Sequence, residues 1–194
     1  MGDWGTAELY PGQRRAGQCR RSRHTKDPAI LAISPYLREL RAHVGHATIL
    51  MPSVAAMIRD EAGRLLLVRD RDTGLWQTVG GAMDPGEEPA AAAAREAREE
   101  TGLLIEPTRI IGVYAGPLFC LTYPNGDRMA YVGISFRAHA VGGAERPCGD
   151  EVDRLGWFDR EEALALAMAP HTRILIEDAF RDLPEAVFAP CPAA

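Results

Sequence analysis

GAMDPGEEPAAAAAREAREETGL, residues 81–103, is the stretch whose reading decides this chain. Pro89 suits the first position of a helix, and Gly102 stands where a left-handed residue would end it. Between them, Ala90 to Ala94 and Ala97 are strong helix formers with little bulk. The predicted helix over 89–101 can therefore lie close against a sheet. Glu96, Glu99 and Glu100 fall at i, i+3 and i+4, which sets three carboxylates on one side of it. Like charges so placed repel, at roughly 0.2–0.5 kcal/mol per pair on an exposed helix. A sequence serving helix stability alone would alternate its signs. Hard divalent cations such as Mg²⁺ or Mn²⁺ prefer oxygen ligands and would remove the repulsion. Arg95, the i−4 neighbour of Glu99, can orient carboxylates without being a ligand. Gly80-Gly81 and Pro85-Gly86 bracket the preceding loop, so the backbone can turn tightly and Glu87 can fold back toward the helix.

Working outward, Tyr36, Leu37, Leu40 and Val44 recur at helical spacing and predict a helix over 35–44, stopped by Gly45. This helix either packs on the domain or covers a partner in a homodimer. Residues 54–58 and 65–68 are apolar runs of strand length, with Asp60 to Gly63 as a turn between them, and predict a hairpin. Trp76 to Val79 is a short third strand. After the acidic helix, 104–115 and 128–141 read as long strands, joined through Asn125-Gly126, a strong hairpin signal. A short strand at 155–158 and helices near 160–167 and 171–181 complete the pattern. Strands and helices in this order imply an α/β layered domain around a mixed sheet.

The 194 residues suffice for one ordinary domain. We place a basic, disordered tail at 1–27, a helical extension at 28–46, the domain at 47–183 and a C-terminal tail at 184–194. Hydrophobic content of 46% and charged content of 25% are average for a globular chain. The net charge of −5 gives no footprint for gripping a nucleic-acid backbone, so no nucleic-acid partner is expected. No apolar run approaches a membrane span, and no secretory signal precedes the domain, so no membrane partner is expected either. Cys19, Cys120, Cys148 and Cys191 lack metal spacing and read as reduced thiols of a cytoplasmic protein.

The 81–103 segment resembles the Nudix box, G-x5-E-x7-R-E-U-x-E-E-x-G-U with U apolar, and matches it at every defined position. One departure lies upstream: many relatives carry Pro-Gly-Gly where this chain has Val79-Gly80-Gly81. The resemblance, to MutT-like and ADP-ribose pyrophosphatase-like enzymes, implies an α/β/α sandwich. It implies a metal-dependent hydrolase that splits the pyrophosphate bond of a nucleotide-like small molecule. Glu99 and Glu100 would hold Mg²⁺ or Mn²⁺, with Glu96 as a further ligand or the base, and the Gly80 carbonyl would complete the shell. Glu87 and Arg95 would organise these groups. A further acid outside the box often ligates metal or serves as base in this family; Glu151, beside Asp150 and Asp153, is the candidate. Arg69 and Arg71 could meet substrate phosphates or be plain surface. Trp76 could stack on a base or belong to the core, and Tyr123 and Tyr114 carry the same ambiguity. The substrate expected is a nucleoside diphosphate derivative, ADP-ribose-like. The alternatives are a nucleoside triphosphate pyrophosphohydrolase clearing oxidised nucleotides, a non-catalytic nucleotide sensor, and an isopentenyl diphosphate isomerase-like enzyme. The sensor should have lost box carboxylates, and none is lost here. The isomerase needs an activated cysteine, and Cys120 has no obvious activating partner.

Overall fold

The computed structural model describes residues 34–189. The tail expected at 1–27, the start of the 28–46 extension and residues 190–194 lie outside these described residues. In chain order come α1 (Pro35–Val44), β1 (Ile49–Arg59), β2 (Leu65–Asp70), β3 (Trp76–Ala82), α2 (Pro89–Thr101), β4 (Leu103–Tyr114), β5 (Cys120–Thr122), β6 (Arg128–Gly143), β7 (Val152–Phe158), α3 (Arg160–Ala165) and α4 (Pro170–Arg181).

The strands form one mixed sheet in the order β4-β6-β1-β3-β2-β7, with β5 also on β6. β1 and β6 run parallel, in register from Ile49 opposite Met129 to Arg59 opposite His139. The other pairings are antiparallel. β1 is central, and its residues 54–58 are buried on both faces, which explains why they read as an unbroken apolar run.

Two expectations are corrected. The hairpin expected between 54–58 and 65–68 survives only as the pair Arg59–Leu65; β3 then takes the edge of β1 and also pairs with β2. Leu65 to Val68 are all fully buried. Such a run needs neighbours on every side, and its sequence does not say which strand supplies them. The Asn125-Gly126 turn joins β6 to short β5 rather than directly to β4. At Ala115–Phe119 the chain leaves the sheet through Gly116, at φ 94°, and a single 3₁₀ turn. β4 and β5 then lie end to end along one edge of β6.

Helices cover both faces, as a sandwich requires. α2 presents Ala92, Ala93 and Ala97 to a core with Val54, Ala56, Ile58, Leu66, Val68 and Val79. Only methyl groups stand between helix and sheet, so the two approach closely. On the other face α3 and α4 bring Ala163, Ile176 and Ala179 to Ala55, Met57, Leu65 and Leu67. Each fully buried aliphatic side chain contributes about 1.5–3 kcal/mol. α3 is opened by a reciprocal Asp159–Glu162 capping box and ends at Ala165, short of the expected 167. Beyond α4 the stretch expected as a tail is tied down: Val187 donates to the Ile111 carbonyl and accepts from Val113.

Candidate active site

The acidic helix begins at Pro89 and ends at Gly102, whose φ of 75° closes it in the left-handed region. Its carboxylates meet three different environments. Glu100 is buried, at 5% exposure, and accepts one hydrogen bond from the Gly80 N–H at 3.1 Å. Burial, joined by the nearby Glu96 and Glu151 charges, holds its carboxyl well above the usual range, against the pull of Gly80. Glu96 lies against Gly81: a Cβ built on that glycine would stand 2.6 Å from the carboxylate Oε1. Burial raises the Glu96 pKa too, opposed by Arg95 and reinforced by Glu99 and Glu151. Glu99 is outermost, its side chain 61% exposed.

Arg95 ties the loop to the helix. Its Nε and Nη2 donate to the two oxygens of Glu87, at 2.8 and 3.0 Å, in a bidentate pair. Nη2 also reaches the Ala82 carbonyl, and Nη1 donates to Glu96 at 2.8 Å and to Glu99 at 3.2 Å. The Glu87 carboxylate accepts the Asp84 N–H as well. The Arg95 contact holds its pKa below the usual range, although burial acts the other way.

Glu151 belongs to the same group in space. Its charge acts on both Glu96 and Glu100, and it borders the same cavity. The loop that carries it is fixed at two places. The Cys148 N–H donates to the Glu100 carbonyl, and the Arg71 N–H donates to the Glu151 carbonyl at 2.8 Å. Arg71 also donates through Nη1 to the Gly149 carbonyl at 2.6 Å.

The cavity holds about 700 Å³ and is bordered by Glu96, Glu99, Glu100, Glu151, Gly80 and Arg95. Strand registers explain why it is hollow. Met51 lies opposite Tyr131, Ser53 opposite Gly133 and Ala55 opposite Ser135 on the parallel pair; β3 sets Ala82 beside Ser53 and Gly80 beside Ala55. Ser53, Ala55, Gly80, Ala82, Gly133 and Ser135 are all small, so the floor is a trough. Four residues of strand separate the Tyr131 row from the Ser135 row, about 13 Å. α1 walls the first end with Leu37 and Arg41, beside Tyr123 and Tyr131; α4 walls the second with His171 and Leu175, beside Phe119 and Tyr114.

The other expected site residues divide. Trp76 and Tyr123 border the cavity. Trp76 also packs edge-on against Phe158, with centroids 4.9 Å apart, so it serves core and cavity together. Arg69 pairs with Asp153 and Arg71 braces the 149–151 loop; neither borders the cavity. Leu37, Arg41, Ser53, Tyr131, Ser135 and His171 escaped the sequence reading. Ser135 is buried, and among the described residues its hydroxyl has no hydrogen-bond partner. Burial holds His171 below its usual pKa, which favours its neutral form. These residues sit at period two on strands or on helix faces, and form no motif.

Among the described residues, no three His, Cys, Asp or Glu side chains already stand around one point as a finished ligand shell. The donor set still suits a hard divalent cation. It is made of oxygens, buries the Glu100 carboxyl beside the like charges of Glu96 and Glu151, and is packed against a glycine that leaves room for the Glu96 carboxylate.

The NUDIX domain family model matches residues 49–179. A MutT-like protein of Streptomyces ambofaciens is 34% identical over 57% of this chain; the match spans 64% of that relative's length. A putative 8-oxo-dGTP diphosphatase of Bacillus subtilis is 33% identical over 63% of this chain and 74% of its own. An ADP-ribose pyrophosphatase of Methanocaldococcus jannaschii is 29% identical over 65% and 72%. Among solved structures, the MutT protein of Methanosarcina mazei superposes with a TM-score of 0.58 at 27% identity, covering 71% of this chain and 98% of its own. With an unbroken box on a helix that opens into a cavity, this chain belongs to the Nudix hydrolase family, whose members are pyrophosphohydrolases.

Proposed function

We propose that the protein hydrolyses the pyrophosphate bond of a nucleoside diphosphate derivative, of the ADP-ribose kind, with Mg²⁺ or Mn²⁺. One observation carries this reading: the acidic helix face borders a trough with two separate end walls. Its volume lies within the roughly 300–1,000 Å³ usual for small-molecule sites. A diphosphate with a group on each side matches two ends; a nucleoside triphosphate has a single large end.

Glu99, Glu100, Glu96, the Gly80 carbonyl and Glu151 would hold the cation, which when bound neutralises charge on the pyrophosphate oxygens. Arg95 and Glu87 keep the loop and Glu96 in place. Glu99, the most exposed of the three, would exchange its Arg95 contact for the cation. Whichever of Glu96 and Glu151 does not ligate the cation accepts the proton of the attacking water.

A panel of ADP-ribose, nucleoside triphosphates including 8-oxo-dGTP, diadenosine polyphosphates and NADH, each with Mg²⁺ or Mn²⁺, tests this. AMP and ribose 5-phosphate from ADP-ribose is the expected result. Pyrophosphate release from 8-oxo-dGTP alone would favour the second reading, nucleotide sanitising, which rests on the Bacillus subtilis relative. Glu99→Gln and Glu100→Gln are each expected to cut kcat by orders of magnitude with an unchanged circular dichroism spectrum. Near-normal rates would overturn the site assignment.

A further inference from the structure

We propose that α1, which precedes the family-matched region, is the wall that selects the substrate's base, with Leu37 as the selecting residue. The inference rests on reading the cavity as a nucleotide site. The NUDIX match begins at residue 49, whereas α1 spans Pro35–Val44. Yet Leu37 and Arg41 border the same cavity as the box glutamates.

α1 has no fully buried residue of its own. It is held by a small apolar cluster and a polar latch. Leu37 and Leu40 pack on Ile49, Met51 and Met129, together with Tyr123 and Tyr131. Arg41 donates through Nη1 to the Gly45 and Ala47 carbonyls, at 2.9 and 2.6 Å, and through Nη2 to the Arg128 carbonyl at 2.8 Å. Its Nε stands 3.5 Å from Asp127, and His46 contacts the same carboxylate at 2.8 Å. Arg41 is thereby committed to holding the helix. This leaves Leu37 as the α1 residue that shapes the end of the trough.

The chemistry of this end suits a flat heteroaromatic ring. The Tyr123 and Tyr131 hydroxyls bond each other at 2.6 Å, and among the described residues neither ring has an aromatic partner. At the opposite end the rings are already engaged: Phe119 stacks obliquely on Tyr114 and His171, and Trp76 meets Phe158. An unpartnered ring pair beside an aliphatic side chain accepts a base by stacking and apolar contact. Leu37 bounds the depth of that end, so its size decides whether a purine or only a pyrimidine fits.

Calorimetric binding of ADP and of UDP to the unmodified protein, Leu37→Trp and Leu37→Ala tests the wall directly. Leu37→Trp is expected to weaken ADP by roughly tenfold or more while UDP changes much less. Leu37→Ala is expected to shift the ADP/UDP ratio the other way. An equal change for both nucleotides in both variants, or no binding of either by the unmodified protein, overturns the proposal. Circular dichroism and Tm of each variant identify a folding defect, and Leu37→Ala keeps the test open if the larger residue fails to fold. ADP-ribose turnover is measured separately. Leu37-dependent ADP binding without ADP-ribose hydrolysis sinks the functional reading and leaves the wall standing.

Discussion

Gly80 and Gly81 are neighbours with the same side chain and opposite duties. Gly80 sits at φ 149°, and a Cβ there would run into the Val54 carbonyl of the adjacent strand. That obstruction is backbone and cannot step aside. Gly81 has no such φ; the atoms nearest its Cβ would be those at the end of the Glu96 side chain. Gly80→Ala is therefore expected to destabilise the fold by about 1–3 kcal/mol or more, read as a lower Tm. Gly81→Ala is expected to leave Tm nearly unchanged but to displace Glu96 and lower kcat strongly. If Gly81→Ala kept full activity, the Glu96 carboxylate position would not matter to the chemistry. This scale was the most legible in sequence. Spacing alone placed Glu96, Glu99 and Glu100 on one helix side, and Pro89 and Gly102 marked the helix ends that the structure shows. Arg69 and Arg71 were not legible, because their partners, Asp153 and the Gly149 carbonyl, lie about eighty residues downstream.

At the scale of elements, α2 and α1 are held by different forces. α2 is fixed by alanines packed on the sheet, a contact nearly independent of pH. α1 depends on Asp127, which gathers His46, Asn125 and Arg41. Burial pushes the Asp127 carboxyl up, and those partners together outweigh it, so its pKa ends below the usual value. A carboxyl lowered in the folded state contributes stability above its unfolded pKa and loses it as pH falls through the folded one. α1 is therefore expected to stay docked from neutral pH down to the ordinary carboxylate range, and to release in stronger acid before the sheet unfolds. Amide hydrogen exchange over residues 35–44, followed as pH is lowered, checks this after correction for intrinsic exchange. Asp127→Asn should loosen the same amides already at neutral pH. Equal protection of α1 and β1 throughout would show that the apolar cluster alone holds the helix. The helix itself was legible from its 3.6 period, but its docking place was not, since the cluster that Leu37 and Leu40 join includes Tyr123, Met129 and Tyr131, more than eighty residues away.

For the whole molecule, the site is a product of strand register rather than of any one segment. The box supplies carboxylates, but the trough exists because three strands bring their smallest residues side by side. A period-two pattern shows which residues share a face; it does not show that Ser53 will stand opposite Gly133. That pairing follows from a parallel β1–β6 contact made after most of the domain has intervened, so the trough could not be read from the sequence. Gly133 tests this origin of the cavity. It lies in the middle of a long strand, where glycine is a poor choice for stability. A Cβ there would come 3.3 Å from the Ser53 hydroxyl, a side-chain atom that can rotate away. Gly133→Val should therefore be tolerated by the fold, with Tm unchanged or raised by the better strand propensity. The same change puts two methyl groups on the trough floor, and KM is expected to rise by roughly tenfold or more. Stability and activity then move in opposite directions, which a simple folding defect cannot produce. Unaltered kinetics in a well-folded Gly133→Val protein would mean that substrate does not occupy the trough.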